Sequence, residues 1–326
     1  MSEPLADSAL TSFVAELNAQ PSASAAEVGP RALRARAEER AAARPKGPEM
    51  HTVRDVAIGP ERIPARLYRP AAGPTAIVVY LHGGGWVIGS IGTADRACRR
   101  LAAASGSAVL SLGYRLAPEH PWPAAVDDAM AALEWVASSP PELGPPPLAV
   151  GIAGDSAGGA VATLACLRAR DRSPQASPAV QALIYANTDL TNSGASMRTK
   201  GHGFGLEAEG IEWFSAQWVP DPAMRADPRV SPLYAPDLTG LPAAIVITCE
   251  HDPLRDQGEA YAARLRDAGV LRTGRREQGM VHNFMYWDLI SPACAAAADR
   301  VAADLRSALA TASGRSGGVP RQSPGR

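Results

Sequence analysis

Apolar positions change their period along this chain, and the changes divide it into segments. In "DSALTSFVAELNAQ", Leu10, Phe13, Val14 and Leu17 recur at helical spacing. Residues 1–50 therefore read as a helical segment detached from the rest of the chain, closed by Pro45 and Pro48. From His51 the pattern shortens to the extended runs "HTVRDVAI", "RIPARLYRP" and "AIVVYL". The last is apolar throughout, as a strand covered on both faces must be. Strands and helices then alternate: strand 108–114, helix 124–138, strand 148–154, helix 156–170, strand 179–186. An insert at about 187–225 breaks the rhythm, with glycines ahead of Trp213, Phe214 and Trp218 at near-helical spacing. The alternation resumes with a buried strand at 243–249 and a helix at 257–269, whose Gly269 suits a C-cap. A last strand is expected near 271–277, although "LRTGRRE" is polar, and a helix at about 291–311 precedes a tail, 312–326, that reads as disordered. Strands separated by helical patterns imply an α/β fold, a mostly parallel sheet with helices on both faces.

Composition narrows the function. The 326 residues are 46% hydrophobic and 20% charged, enough to bury a sizeable core. A net charge of −1 gives no general pull toward nucleic acid or an anionic membrane, so neither is expected as a partner. The basic run 31–44 reads as a solvated helix face. The apolar run at 76–81 is of strand length, so no membrane span is expected, and the first residues lack the pattern of a secretory signal. Cys98, Cys166, Cys249 and Cys294 are widely spaced, which favours reduced, buried thiols over disulfides or a zinc site. A cytoplasmic protein is the expectation.

The chemistry starts at "GIAGDSAGGA", where Gly154-Asp155-Ser156-Ala157-Gly158 matches G-x-S-x-G between a buried strand and an alanine-rich helix. A nucleophile at so sharp a bend needs glycine two residues to either side, because a larger side chain would collide with the turn. A serine N-cap on a glycine-rich helix start would explain the stretch equally well in isolation. Ser156 is the expected nucleophile, and the helix N-terminus just after it favours negative charge beside it.

Acyl transfer also needs donors for an oxyanion, and backbone amides supply them without reorganisation. Ala157, just after the nucleophile, is one. "YLHGGGW" succeeds a buried strand and precedes Ser156 in the chain, so Gly83 and Gly84 are expected to present the others. His82 is read as a residue that fixes this loop. Trp86, Asp155, Trp213 and Trp218 are expected around the substrate pocket.

Ser156 requires a base, and the base an acid. In the order Ser, Asp, His the base is His202, His251 or His282. His202 lies in the glycine-rich insert, and His251 abuts Asp252, a geometry that points neighbours apart. His282, in "QGMVHNF", falls beyond the last strand and is the expected base. Asp252, at the end of the strand "AAIVITC", is the expected acid. Glu250 and Asp288 are the weaker alternatives, and Asp256 is expected to cap the next helix.

"HGGGW", "YRLAPEHPWPAAVDD", "GDSAGG" and "DPLRD…GMVHNF", in this order over about residues 51–310, resemble the hormone-sensitive-lipase-like family of α/β-hydrolases, most closely its bacterial esterase branch. The resemblance implies an eight-stranded sheet and a catalytic domain at 51–311. A cap over the site would be built from the N-terminal helices and the insert. It implies hydrolysis of small or short-acyl carboxylic esters through an acyl-enzyme, with no metal or organic cofactor. It also allows a homodimer. An amidase or deacetylase on the same triad is the rival chemistry, and a non-catalytic ligand-binding receptor the rival class. The receptor reading is weakened by the presence of all three triad residues. A long-chain lipase is less expected, since no large apolar lid is evident.

Overall fold

The structure, a computed structural model, describes residues 4–20, 23–74, 76–143 and 149–316. Eight strands form one sheet: β1 Thr52–Ile58, β2 Ile63–Arg69, β3 Ala76–Leu81, β4 Ala108–Leu112, β5 Ala149–Asp155, β6 Val180–Ile184, β7 Ala243–His251 and β8 Leu271–Val281. Their order is β1-β2-β4-β3-β5-β6-β7-β8. β1 and β2 pair antiparallel, β2 meets β4 antiparallel, and every later pairing is parallel. β3 is buried at every position, as its unbroken apolar run requires.

Nine α-helices accompany the sheet among the described residues: α1 Ser8–Ala19, α2 Ala25–Ala42, α3 Ile91–Ser105, α4 Ala124–Ala137, α5 Ala157–Arg172, α6 Ala195–Thr199, α7 Ala208–Trp218, α8 Arg255–Asp267 and α9 Pro292–Ser316. Helices α4, α5 and α8 pack their apolar faces on one side of the sheet, with α7 beyond them. Helices α3 and α9 cover the other side. No helix is long and apolar enough to cross a membrane among the described residues.

Three expectations need correction. The N-terminal segment is not detached. Leu10 and Val14 of α1 lie in the same core as α3 and α9, and burying one such leucine is worth about 1.5–3 kcal/mol. Asp7 fastens it further: its carboxylate accepts from the Leu10 amide, the Ser291 hydroxyl and the Ala293 amide, joining the starts of α1 and α9. The final helix does not stop at 311 but runs to Ser316, because Ala308, Leu309 and Ala312 continue its buried face. The rest of the expected tail, 317–326, lies outside the described residues. The last strand is longer than 271–277, reaching Val281. Its polar residues are at home there because β8 is the sheet edge, where Arg275 pairs with Asp304 of α9 and Arg300 of α9 with Glu277.

Candidate active site

Each residue expected in the chemistry comes directly after the C-terminal end of a parallel strand. His82 to Gly85 come after β3, Ser156 after β5, Asp252 after β7 and His282 after β8. This is the edge of an open α/β sheet at which sites form.

Ser156 sits at φ 53° and ψ −121°, a backbone conformation side chains rarely tolerate. The bend is held by its own amide, which donates to Ile184 O, and by Gly154 and Gly158, whose hydrogens leave space no Cβ would fit. His282 Nε2 lies 3.0 Å from Ser156 Oγ, and His282 Nδ1 lies 2.8 Å from Asp252 Oδ2. Asp252 is fully buried and accepts the Leu254 amide on Oδ1 at 2.8 Å, which fixes the plane of its carboxylate. His282 is likewise buried, with Tyr185 tilted against its ring at 4.6 Å between centroids. Glu250, also buried, accepts the Gly279 amide at 2.6 Å and so ties the strand bearing Asp252 to the turn bearing His282.

The glycine loop differs in register from the expectation. The Gly83 amide donates to Asp155 Oδ1 at 3.0 Å and is therefore committed to the protein. The amides of Gly84 and Gly85 donate to no group among the described residues. Ala157, the first residue of α5, has no acceptor within its helix. Gly84 and Gly85 hold positive φ, 120° and 58°, and line the same cavity as Ser156. Asp155, fully buried, also accepts the Tyr80 and Tyr286 hydroxyls at 2.7 and 3.0 Å. Burial raises its pKa, against the pull of these three donors. His82 is buried beside the loop, its Nδ1 2.8 Å from Gly83 O and its ring stacked on Tyr114 at 4.3 Å. Burial pushes its pKa down to about 4.

A cavity of about 110 Å³ opens over Ser156, walled by Trp86, Leu206, Ile211, Phe214 and Leu254, with Asn187 and Asn283 as its polar side chains besides Ser156 and His282. Trp86 thus borders the pocket as expected from its position. Trp213 and Trp218 are not among its lining residues. Trp218 is fully buried and stacks on Trp86 at 4.2 Å, beneath the pocket, while Trp213 meets Phe214 edge-on. Phe214 is the residue of α7 whose phase on the helix aims it at Gly85. Asp155 borders a neighbouring chamber rather than this one.

The remaining candidates fall elsewhere. His202 is exposed and pairs with Glu207. His251 is buried under Phe204 at 4.8 Å between rings, with Lys200 Nζ 3.2 Å from its Nδ1. Asp288 pairs with Arg96 and Arg100. Asp256 does not cap α8, whose N-cap is Leu254; it accepts the Ser196 amide at 2.7 Å, holding α6 down. Leu206, Ile211, Phe214, Leu254, Asn187 and Tyr286 escape a reading of the sequence, because they reach the site from the insert and the turns, where no spacing rule marks them. Among the described residues no cluster of His, Cys, Asp and Glu is arranged to hold a metal ion.

Residues 78–286 match a family model described as the α/β-hydrolase fold. The chain is 42% identical to the carboxylic ester hydrolase LipN of Mycobacterium tuberculosis, over 81% of this chain and 72% of that one. It is 39% identical to an ethyl acetate hydrolase of Pseudomonas putida, over 68% of this chain and 71% of the relative. In three dimensions it superposes on a hyperthermophilic esterase of Pyrobaculum calidifontis with a TM-score of 0.83, at 38% identity, covering 93% of this chain and 98% of that one. With its eight-stranded sheet and its nucleophile bend, the chain belongs to the α/β-hydrolase family, in the hormone-sensitive-lipase-like branch.

Proposed function

We infer that the protein is a serine carboxylic ester hydrolase working through an acyl-enzyme, with Ser156 as nucleophile, His282 as base and Asp252 as its partner. The observation that carries this reading is the unbroken chain of contacts from Ser156 Oγ to His282 Nε2 at 3.0 Å and from His282 Nδ1 to Asp252 Oδ2 at 2.8 Å. His282 takes the Ser156 proton as the oxygen attacks the ester carbonyl. Asp252 keeps the imidazole in the tautomer that can accept and stabilises the imidazolium. The Gly84, Gly85 and Ala157 amides hold the oxyanion, each such donor being worth about 10²–10³ in turnover. The alcohol leaves with the proton from His282, and water repeats the sequence on the acyl-serine.

The substrate is a small ester on this reading, because the cavity over Ser156 measures about 110 Å³ and Phe214 forms part of its apolar wall. All three triad residues come from one chain, so the reading needs no second subunit. The four buried cysteines are all free thiols, which fits the reducing cytoplasm as the compartment.

A fluorophosphonate probe with mass spectrometry, together with p-nitrophenyl esters of increasing acyl length, tests the reading. Labelling confined to Ser156, loss of label and turnover in Ser156→Ala, and a preference for acyl groups of a few carbons are expected. Turnover by Ser156→Ala at the wild-type rate would refute the nucleophile.

A further inference from the structure

We propose that the esters this protein hydrolyses carry an anionic group, a carboxylate or a phosphate, which binds Arg44 and Arg40 in a second chamber beside the catalytic pocket. The proposal rests on the ester-hydrolase reading and extends it to the chemical class of the substrate. The cavity over Ser156 meets a larger one of about 220 Å³, and Gly84, Ile88 and Asn283 line both. An ester whose carbonyl oxygen lies at Gly84 sends one arm into each chamber. The arm over Ser156 meets apolar walls. The other arm meets the C-terminal end of α2, where Arg40 in the last turn and Arg44 just past the C-cap Ala43 both line the chamber.

Arg44 is the more telling of the two. It is half-buried, and its Nη1 donates to Tyr286 O at 3.2 Å. Among the described residues no carboxylate oxygen lies within 4.0 Å of its guanidinium; burial disfavours the charge and lowers its pKa, against the more distant attraction of Asp288. A guanidinium offers five donors in a fork that matches carboxylate and phosphate oxygens. The acidic groups nearby are engaged elsewhere. Asp288 is bound by Arg96 and Arg100, and Asp155 Oδ1 takes the Tyr80, Tyr286 and Gly83 donors in the chamber floor. Glu38 lines the groove farther out and not this chamber. Asp155 is the one carboxylate among the described residues lining the chamber; it lies beyond 4.0 Å of Arg44 and burial favours its neutral form, so an anionic substrate arm supplies the ionic partner that Arg44 lacks.

The test compares anionic esters with neutral counterparts, using the full chain. For charge on the acyl side the pair is mono-p-nitrophenyl glutarate and p-nitrophenyl butyrate. For charge on the alcohol side it is 4-carboxyphenyl acetate and its methyl ester, with 4-phosphonooxyphenyl acetate as the phosphate arm. The readout is the ratio of kcat/KM, anionic over neutral. In Arg44→Gln that ratio is expected to fall about tenfold in at least one arm, the size of a lost charge-assisted contact. Arg40→Gln should lower it less, Arg44→Lys should restore part of it, and Arg54→Gln, on the exposed edge strand, should leave it alone. The arm that responds identifies which end of the ester, and which anion, the chamber reads. Ratios within twofold of wild type in both Arg44→Gln and Arg40→Gln, in every arm, would overturn the proposal. A folded wild-type chain that turns over none of these esters would instead overturn the hydrolase reading.

Discussion

Gly83 gives its amide to the Asp155 carboxylate, 3.0 Å away and 72 residues along the chain. The first glycine of the HGGG stretch therefore anchors the loop, and the amides of the next two have no acceptor among the described residues. The carboxylate that holds it belongs to the residue just before the nucleophile, so one side chain locks the oxyanion loop to the serine bend. The Tyr80 and Tyr286 hydroxyls complete this buried knot.

If Asp155 positions the donors, its loss should affect the transition state more than the bound ester. Asp155→Ala is expected to lower kcat by about 10²–10³, the cost of misplacing an oxyanion donor, with a smaller change in KM. Tyr286→Phe removes one of the three bonds and should cost less. Steady-state kinetics on a short-acyl ester, with circular dichroism to check the fold, decides the matter. An Asp155→Ala enzyme with wild-type kcat would show that the loop holds its shape without the knot.

Phe214 closes the pocket by lying against Gly85, where a Cβ would overlap its ring. Phe214→Ala should therefore open the wall and raise kcat/KM for an octanoyl ester relative to a butyryl ester by roughly tenfold, within the range that apolar pocket contacts give. An unchanged chain-length profile would mean that another residue sets the limit. Gly85→Ala should sharply lower kcat in the same assay, because the new methyl would overlap the Phe214 ring at a φ of 58° that side chains adopt only at a cost.

The proposed triad is legible in the sequence because its chemistry demands particular residue types, and the fold places them just past the C-terminal ends of strands. Ser156 and Asp252 come directly after apolar strands, and His282 after the polar edge strand β8. The register of the glycine loop is not legible. Spacing locates a loop but cannot say which of its amides is already bound, and the Gly83 acceptor lies in a different motif. The pocket wall escapes for a related reason. α7 has 11 residues, so a shift of one position changes which aromatic ring meets the substrate, and Phe214 takes the place expected of Trp213 and Trp218. The edge strand β8 looks too polar in isolation because its ion pairs with α9 are visible only once the two elements pack.

Asp252 is bonded to His282 and to the Leu254 amide, so Asp252→Asn should fold but present the wrong hydrogen-bonding pattern to the imidazole. A fall in kcat of about 10⁴ at neutral pH is expected. Stopped-flow or steady-state assays on an activated ester measure it, and a loss below tenfold would argue that another acid supports His282.

His82 makes the folded state sensitive to acid. Its ring is 1% exposed, and burial lowers its pKa from 6.5 to about 4. Between those two values the unfolded chain binds a proton at this position and the folded chain does not. Its contribution to stability is therefore complete above pH 6.5 and is lost progressively as the pH falls through this window. At about 1.4 kcal/mol per pH unit, the loss reaches roughly 3 kcal/mol near pH 4. Asp155 acts in the opposite sense, since a carboxyl with a raised pKa favours the folded state as acid is added. The whole-protein slope mixes the two, and a variant separates them. His82→Asn keeps an N–H that can donate to Gly83 O but does not titrate. Thermal melts from pH 7 to pH 4 should show the melting temperature of His82→Asn falling less steeply than that of the wild type, even where it starts lower from lost stacking on Tyr114. Parallel curves for the two proteins would mean that His82 takes up its proton in the folded state as readily as in the unfolded one.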